Sequence, residues 1–240
     1  MTGDTPRGEV VAILLAGGSG SRFGAASSKV YVALAGQPVL AHSLVILSQV
    51  DVVDHVIVVI RQQDRGALDE VLASVPANKV RAVVTGGATR QASEWAGISA
   101  AVEHCGHAQW ALLHDAARPL VTAALITDVI HVARSTGGGA LPGVQIGDDL
   151  VDDCGRLVPV EDLVAVQTPQ AFPLEALRAV YPRALAQGYE GVDTSDTMQA
   201  FSDLHLSVVT SSADNLKITH PGDILRAERI IQARGSSPRP

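Results

Sequence analysis

Aromatic residues are scarce: Phe, Trp and Tyr together make up 3% of 240 residues, so the core has to be built from Ala, Val, Leu and Ile. Cysteine is rarer still, with only Cys105 and Cys154. The two show no metal-ligand spacing and form no disulfide framework, so a reducing cytoplasm is the expected setting. His104 and His107 flank Cys105, but no second ligand pair accompanies them, and a surface helix end explains the cluster better than zinc. No apolar stretch approaches the length of a membrane span. The opening "MTGDTPRGE" contains no apolar run of the secretory kind. Basic residues are in deficit, 18 against 25 acidic, for a net charge of −7. That balance argues against general nucleic-acid affinity, while leaving room for a compact anion pocket lined by local cations.

What is present is the composition of a globular protein, 47% hydrophobic and 18% charged. Near-continuous aliphatic runs at 9–16, 55–60, 80–85 and 110–115 suit strands covered on both faces, as in a parallel sheet. Helical patterns at 38–50, 64–75 and 89–105 separate them. The alternation predicts an α/β domain with helices on both faces of a parallel sheet. After residue 138 the regularity breaks into short β-prone pieces rich in turn residues. This stretch predicts a hairpin-like arm over 139–166 that leaves the sheet and returns at "VAVQTPQ". Helices are expected again at 173–187 and 193–202, then a strand "LSVVTS" and a last helix "PGDILRAERIIQAR" with Pro221 near its first turn. One domain over 1–240 is expected, with mobile ends at 1–8 and 235–240.

"LLAGGSGSRFG" (14–24) follows the first strand, where α/β proteins place ligands. The dinucleotide fingerprint fails, because Gly18 and Gly20 fit but Phe23 stands at the third glycine's place; an oxidoreductase is set aside on that count. The phosphate-loop pattern G-x-x-x-x-G-K-[ST] fails as well, for want of a glycine–lysine pair in this loop. Bare backbone amides with Arg22 and Lys29 beside them suit a nucleoside triphosphate instead. "TGGATRQAS" (85–93) offers Gly87 for close approach of a flat base, then Arg90 and Ser93 in a first helical turn. "HDAARP" ends the fourth strand with Asp115, a carboxylate able to hold Mg²⁺, or alternatively an internal ion pair with Arg118. "DNLKIT" adds Lys217.

Taken together, "LLAGGSGSRFG", "SKVYV", "TGGATRQAS", "HDAARP", "QTPQAF", "DTSD" and "DNLKIT" resemble the 2-C-methyl-D-erythritol 4-phosphate cytidylyltransferases of non-mevalonate isoprenoid synthesis. The ribitol-5-phosphate cytidylyltransferases are close relatives. The resemblance implies a doubly wound α/β fold with a mostly parallel sheet, nucleotide-diphospho-sugar transferase-like, whose β-arm joins two subunits into a homodimer. It also implies roles. Ala16, Gly17 and Gly18, with Gly20, Gly87, Arg90 and Ser93, would bind CTP. Arg22 and Lys29 would lie against the triphosphate, Asp115 near Mg²⁺ or another divalent cation, and Lys217 at the acceptor phosphate.

Two departures stand out. In the arm, "GDDLVD" keeps Asp148, but Asp149 and Val151 stand where the family carries threonine and lysine. Before "TPQ", Glu161 and Asp162 stand where the family has an arginine. Acids therefore replace groups that would welcome a phosphate. Three readings follow: the same acceptor held by other cations such as Arg156, a different sugar or polyol phosphate such as ribitol 5-phosphate, or a CTP-binding protein without transfer activity.

Overall fold

A computed structural model describes residues 8–18, 28–147, 149–160 and 162–236. In chain order, β1 (Glu9–Leu15) is followed by a 3-10 turn at Lys29–Tyr31, a hairpin of β2 (Ala33–Leu34) and β3 (Gln37–Pro38), and α1 (Val39–Gln49). Then come β4 (His55–Ile60), α2 (Arg65–Ser74), β5 (Val80–Thr85), α3 (Arg90–His104), β6 (Ala108–Asp115) and α4 (Ala123–Thr136). The rest comprises β7 (Gly139–Gln145), β8 (Leu150–Val151), β9 (Leu157–Val158), β10 (Val164–Val166) and β11 (Gln170–Pro173). After these follow α5 (Leu174–Ala186), α6 (Thr194–Phe201), β12 (Leu206–Thr210) and α7 (Gly222–Ser236).

The main sheet runs β10–β7–β11–β6–β1–β4–β5, with β12 also pairing β7. β5, β4, β1 and β6 are parallel, and β11 is antiparallel to β6 and β7. Side chains alternate across this sheet, so each aliphatic run feeds two cores. Val10, Ala12 and Leu14 join Val56, Val58 and Ile60 under α1, α2 and α4. Val11 and Ile13 join Ile57 and Val59 under α3, α5 and α6. That two-sided burial is why these strands lack polar alternation, and it makes the fold a doubly wound α/β layer structure with a mostly parallel sheet. A third cluster seats α7 through Ala227 on Leu34, Val39, Leu120, Leu216 and Ile218, which fixes the segment carrying Lys217.

The expected helices form within a residue or two of their limits. Thr89 caps α3 by accepting from the Ala92 amide, and Asp193 caps α6 from the Asp196 amide. Two features differ from the sequence reading. α4 was not among the expected helices: Leu125, Ile126, Val129, Ile130 and Ala133 bury one face of it. The expected arm also begins later, because β7 belongs to the main sheet, where it pairs β12 and β11. What leaves the sheet is the β8–β9 hairpin, and the chain returns at β10. Among the described residues no helix is long and apolar enough to cross a membrane.

α3 lies close against the sheet because of Gly97, where an added Cβ would run into the side chains of Ile13 and Val59. Gly97→Ala is expected to destabilise the protein by about 1–3 kcal/mol, overriding the roughly 1 kcal/mol by which alanine favours a helix. Urea unfolding of the variant checks this; unchanged stability would mean the helix–sheet spacing can relax.

Candidate functional site

The carboxyl ends of β1, β4, β5 and β6 open onto one cavity of roughly 470 Å³, a size suited to a small ligand. Ala16, Gly17, Gly18, Lys29, Gly87, Arg90, Ser93, Asp115 and Lys217, all singled out in the sequence, line it. Gly20 and Arg22 lie outside the described residues, as do Asp148 and Glu161. Asp149 and Asp162 are exposed on the arm and take no part in the lining.

One end of the cavity is backbone. The chain leaving β1 is held by Ala16 N–H donating to Val59 O at 2.7 Å, and the chain leaving β5 by Gly86 N–H donating to Ile60 O at 2.8 Å. Around Gly18 there is, among the described residues, open space where a side chain would begin. Gly87, which the sequence offers for close approach of a base, is also constrained by packing. An added Cβ would collide with Ala92, in the first turn of α3. Ser93 is buried, and its hydroxyl donates to Thr89 O at 3.0 Å and Gly87 O at 3.3 Å. It shapes this wall by holding the loop down.

The other end is charged. Asp115 closes β6 with both oxygens engaged: Arg90 Nη1 lies 2.8 Å from Oδ1 and Lys217 Nζ 2.7 Å from Oδ2. Burial acts to raise this carboxyl, but Arg90, Lys217 and, more remotely, Arg118 outweigh it and hold it well below the usual carboxylate range. The sequence alternative, an Asp115–Arg118 pair, is not what forms. Arg118 Nη1 donates to Asn215 O at 2.7 Å, and the Asn215 amide donates to Thr168 O and Gln167 Oε1, each at 2.9 Å. Ile218 N–H donates to Ala117 O at 2.7 Å, so the segment bearing Lys217 is stitched directly to the turn after Asp115.

Asp115 was expected to hold a divalent cation, and its surroundings do not fit that role. It is the lone carboxylate among the described lining residues, and a cation already sits on each oxygen. A divalent ion seeks uncommitted anionic oxygens, and the described walls of this cavity offer it no cage.

Sequence reasoning missed Arg61, which also lines the cavity. It follows β4 directly and forks onto Asp64 through Nε at 2.7 Å and Nη2 at 2.8 Å. A cation just past a strand's carboxyl end was the available signal. His114 was passed over too. Its Nε2 must donate to Arg118 O at 3.2 Å, which leaves Nδ1 to accept from the Thr168 hydroxyl at 3.2 Å. That hydroxyl in turn accepts from Asp115 N–H at 3.0 Å.

A pocket of backbone and converging cations at the switch of a parallel sheet marks an α/β protein built to hold a phosphate-bearing ligand such as a nucleotide. Comparison with known proteins makes the assignment specific. The sequence profile of IspD, 2-C-methyl-D-erythritol 4-phosphate cytidylyltransferase, matches residues 10–233. The cytidylyltransferase of that name from Cereibacter sphaeroides is 39% identical over 226 residues, covering 92% of this chain and 96% of its own. The one from Thermobifida fusca is 36% identical over 239 residues, covering 94% of each. The crystal structure of 4-diphosphocytidyl-2C-methyl-D-erythritol synthase from Anaerococcus prevotii superposes with a TM-score of 0.82 at 28% identity, over 94% of this chain and 97% of that one. The chain belongs to the 2-C-methyl-D-erythritol 4-phosphate cytidylyltransferase family.

Two outcomes are expected here. Burial lowers the His114 pKa from 6.5 to about 4. The unfolded chain therefore takes up a proton that the folded one refuses, and stability falls as pH drops from 6.5 towards 4, by up to about 3 kcal/mol. Urea unfolding across that range should show the slope, and His114→Gln should flatten it; an equal slope in the variant assigns it elsewhere. Gly18→Val should leave the melting temperature unchanged and weaken CTP binding at least tenfold by calorimetry, because its side chain fills ligand space rather than core. Unweakened binding would place the ligand away from this turn.

Proposed function

We propose that this chain joins CTP to 2-C-methyl-D-erythritol 4-phosphate, giving the CDP-linked product and pyrophosphate, in the cytoplasm. The observation that carries the reading is the two-ended cavity in a chain of this family. A backbone-lined end around Ala16–Gly18 and Gly87 suits a base read by close approach. The end with Lys29, Arg90 and Lys217 suits phosphates.

The chemistry follows from what the walls contain. An ionised phosphate oxygen of the acceptor attacks the α-phosphorus of CTP. The new P–O bond forms as the bond to the β-phosphate oxygen breaks, and that oxygen leaves with the electron pair as pyrophosphate. The attacking oxygen carries its charge already, so no general base is needed. Nor do the described walls offer a hydroxyl paired with a base: Ser93 is tied to two carbonyls, Thr219 donates to the Lys217 carbonyl, Thr89 caps α3, and His114 is buried and bonded elsewhere. One in-line displacement is therefore favoured over a covalent intermediate. Rate comes from positioning and from cations facing the charge that grows on the leaving group. Lys29 and Arg22 take the triphosphate side in this proposal, and Lys217 takes the acceptor phosphate. A divalent cation, Mg²⁺ in the expectation, would be carried by CTP's own phosphate oxygens.

A homodimer is part of the same proposal. The β8–β9 hairpin projects with Leu150, Val151 and Leu157 exposed, an apolar tip suited to packing against a second copy. The departures at Asp149 and Asp162 lie on this arm, so they bear on an acceptor only through such a dimer. The alternative acceptor, ribitol 5-phosphate, is decided by assay.

Pyrophosphate release from CTP is expected with 2-C-methyl-D-erythritol 4-phosphate and at most weakly with ribitol 5-phosphate. The reverse order would transfer the chain to the polyol branch, and the absence of release with either acceptor would favour a CTP-binding role. Lys29→Ala and Arg22→Ala should each lower kcat by about 10²-fold or more while changing CTP affinity far less. Wild-type turnover in either removes that residue from the catalytic set.

A further inference from the structure

Behind the cavity wall lies a carboxylate that the transfer reaction does not touch. Glu94 sits on the inner face of α3 at 1% exposure and does not line the cavity. Its Oε1 accepts from Arg90 Nε at 3.0 Å and from the Thr194 hydroxyl at 3.0 Å, and its Oε2 accepts from the Tyr181 hydroxyl at 2.8 Å. Both anchors are themselves fixed. Tyr181 is fully buried and stacked on Trp95, and Thr194 is fully buried at the start of α6. Gln91, one turn earlier on α3, ties the same region by accepting from Gly191 N–H at 3.0 Å.

Arg90 joins this buried group to the cavity. Its Nε is held by Glu94 and its Nη1 by Asp115 Oδ1, while Asp115 Oδ2 holds Lys217. The guanidinium is planar and its donors are fixed in a fork, so holding it at two sites sets the plane of the whole group. Without Glu94, Arg90 would have one carboxylate on one side and the cavity on the other. An arriving triphosphate would then compete with Asp115 for its fork. Burial tends to raise the Glu94 pKa, against the pull of Arg90 and the two hydroxyls, so the group gains little as a plain stabilising charge.

We propose that Glu94 is a positioning residue for the transfer reaction, holding Arg90 on Asp115 so that Lys217 is presented to the acceptor at a fixed place. This rests on the cytidylyl-transfer reading above and adds to it a residue outside the cavity. Charge alone is not its contribution; the acceptor oxygen at the right reach is. Glu94→Gln keeps such an oxygen towards Arg90 and Thr194, and its amide can donate to Tyr181. Glu94→Met fills the same space with no acceptor.

The test is steady-state pyrophosphate release by the full chain with CTP and 2-C-methyl-D-erythritol 4-phosphate. Glu94→Met is expected to lower kcat about tenfold, since misplacing a contact by an ångström can cost up to about 10²-fold, with no rise in the KM for CTP. Glu94→Gln should recover kcat to within about threefold of wild type. In an Arg90→Met background, adding Glu94→Met should cost less than twofold, because the strut is already gone. Wild-type kcat in Glu94→Met, a Gln variant as impaired as the Met one, or losses that multiply in the double variant would each overturn the proposal. If Glu94→Met does not fold, the Tyr181→Phe and Thr194→Val pair, which frees the carboxylate from its anchors, should lower kcat at least threefold, and no effect would overturn it. If wild type itself turns over no acceptor, the transfer reading fails separately. A crystal structure of Glu94→Met then decides: Arg90 Nη1 parted from Asp115 sustains the inference, and a retained 2.8 Å contact ends it.

Discussion

One carboxylate makes the charged end of the cavity possible. Arg90 and Lys217 face the same small space, and two cations there would repel each other into solvent before any anion arrived. Asp115, between them with one oxygen for each, removes that repulsion and fixes both geometries at once. Positive groups held in place before the reaction spare the transition state the cost of gathering them. The same double engagement makes Asp115 a poor metal ligand, because its charge is already committed.

The scaffold is arranged to hold that carboxylate still. Asp115 is the last residue of β6, a strand buried on both faces, and its amide is fastened to the Thr168 hydroxyl. Thr168 is in turn held by neutral His114, whose other nitrogen supports the Arg118 carbonyl. Asn215 bridges from the segment carrying Lys217 to Gln167 and Thr168. Three segments far apart in sequence meet here, and Arg90 brings in a fourth from α3. Few of these contacts are exposed to water, so each is worth more than its surface equivalent, and an orphaned partner costs more.

Much of the frame was legible in the sequence, because burial on both faces writes long aliphatic runs and helix caps write their own signals. α4 escaped for a physical reason. Ile126, Thr127, Val129, Ile130 and Val132 are β-branched, and a short apolar run of that kind reads equally as strand or helix. The capping Thr122 and Gly137 were the better guide. The cavity residues were legible as types at strand ends, yet their pairing was not. Arg118, three residues from Asp115, was the local candidate, and partners from α3 and from "DNLKIT" took the carboxylate instead. Glu94 was invisible, since a glutamate four residues after an arginine on a helix usually marks a solvated surface pair. Only the layer order shows that this face of α3 points inward.

The most direct test of Asp115 as the hub is the affinity of Asp115→Asn for CTP, by calorimetry with and without Mg²⁺, beside its turnover. With the carboxylate acting on Arg90 and Lys217, CTP affinity should hold or tighten equally under both conditions, because a negative charge has left the phosphate end, while kcat falls by about 10²-fold. An affinity that drops only when Mg²⁺ is present would show the carboxylate serving the metal, and would contradict the arrangement described above.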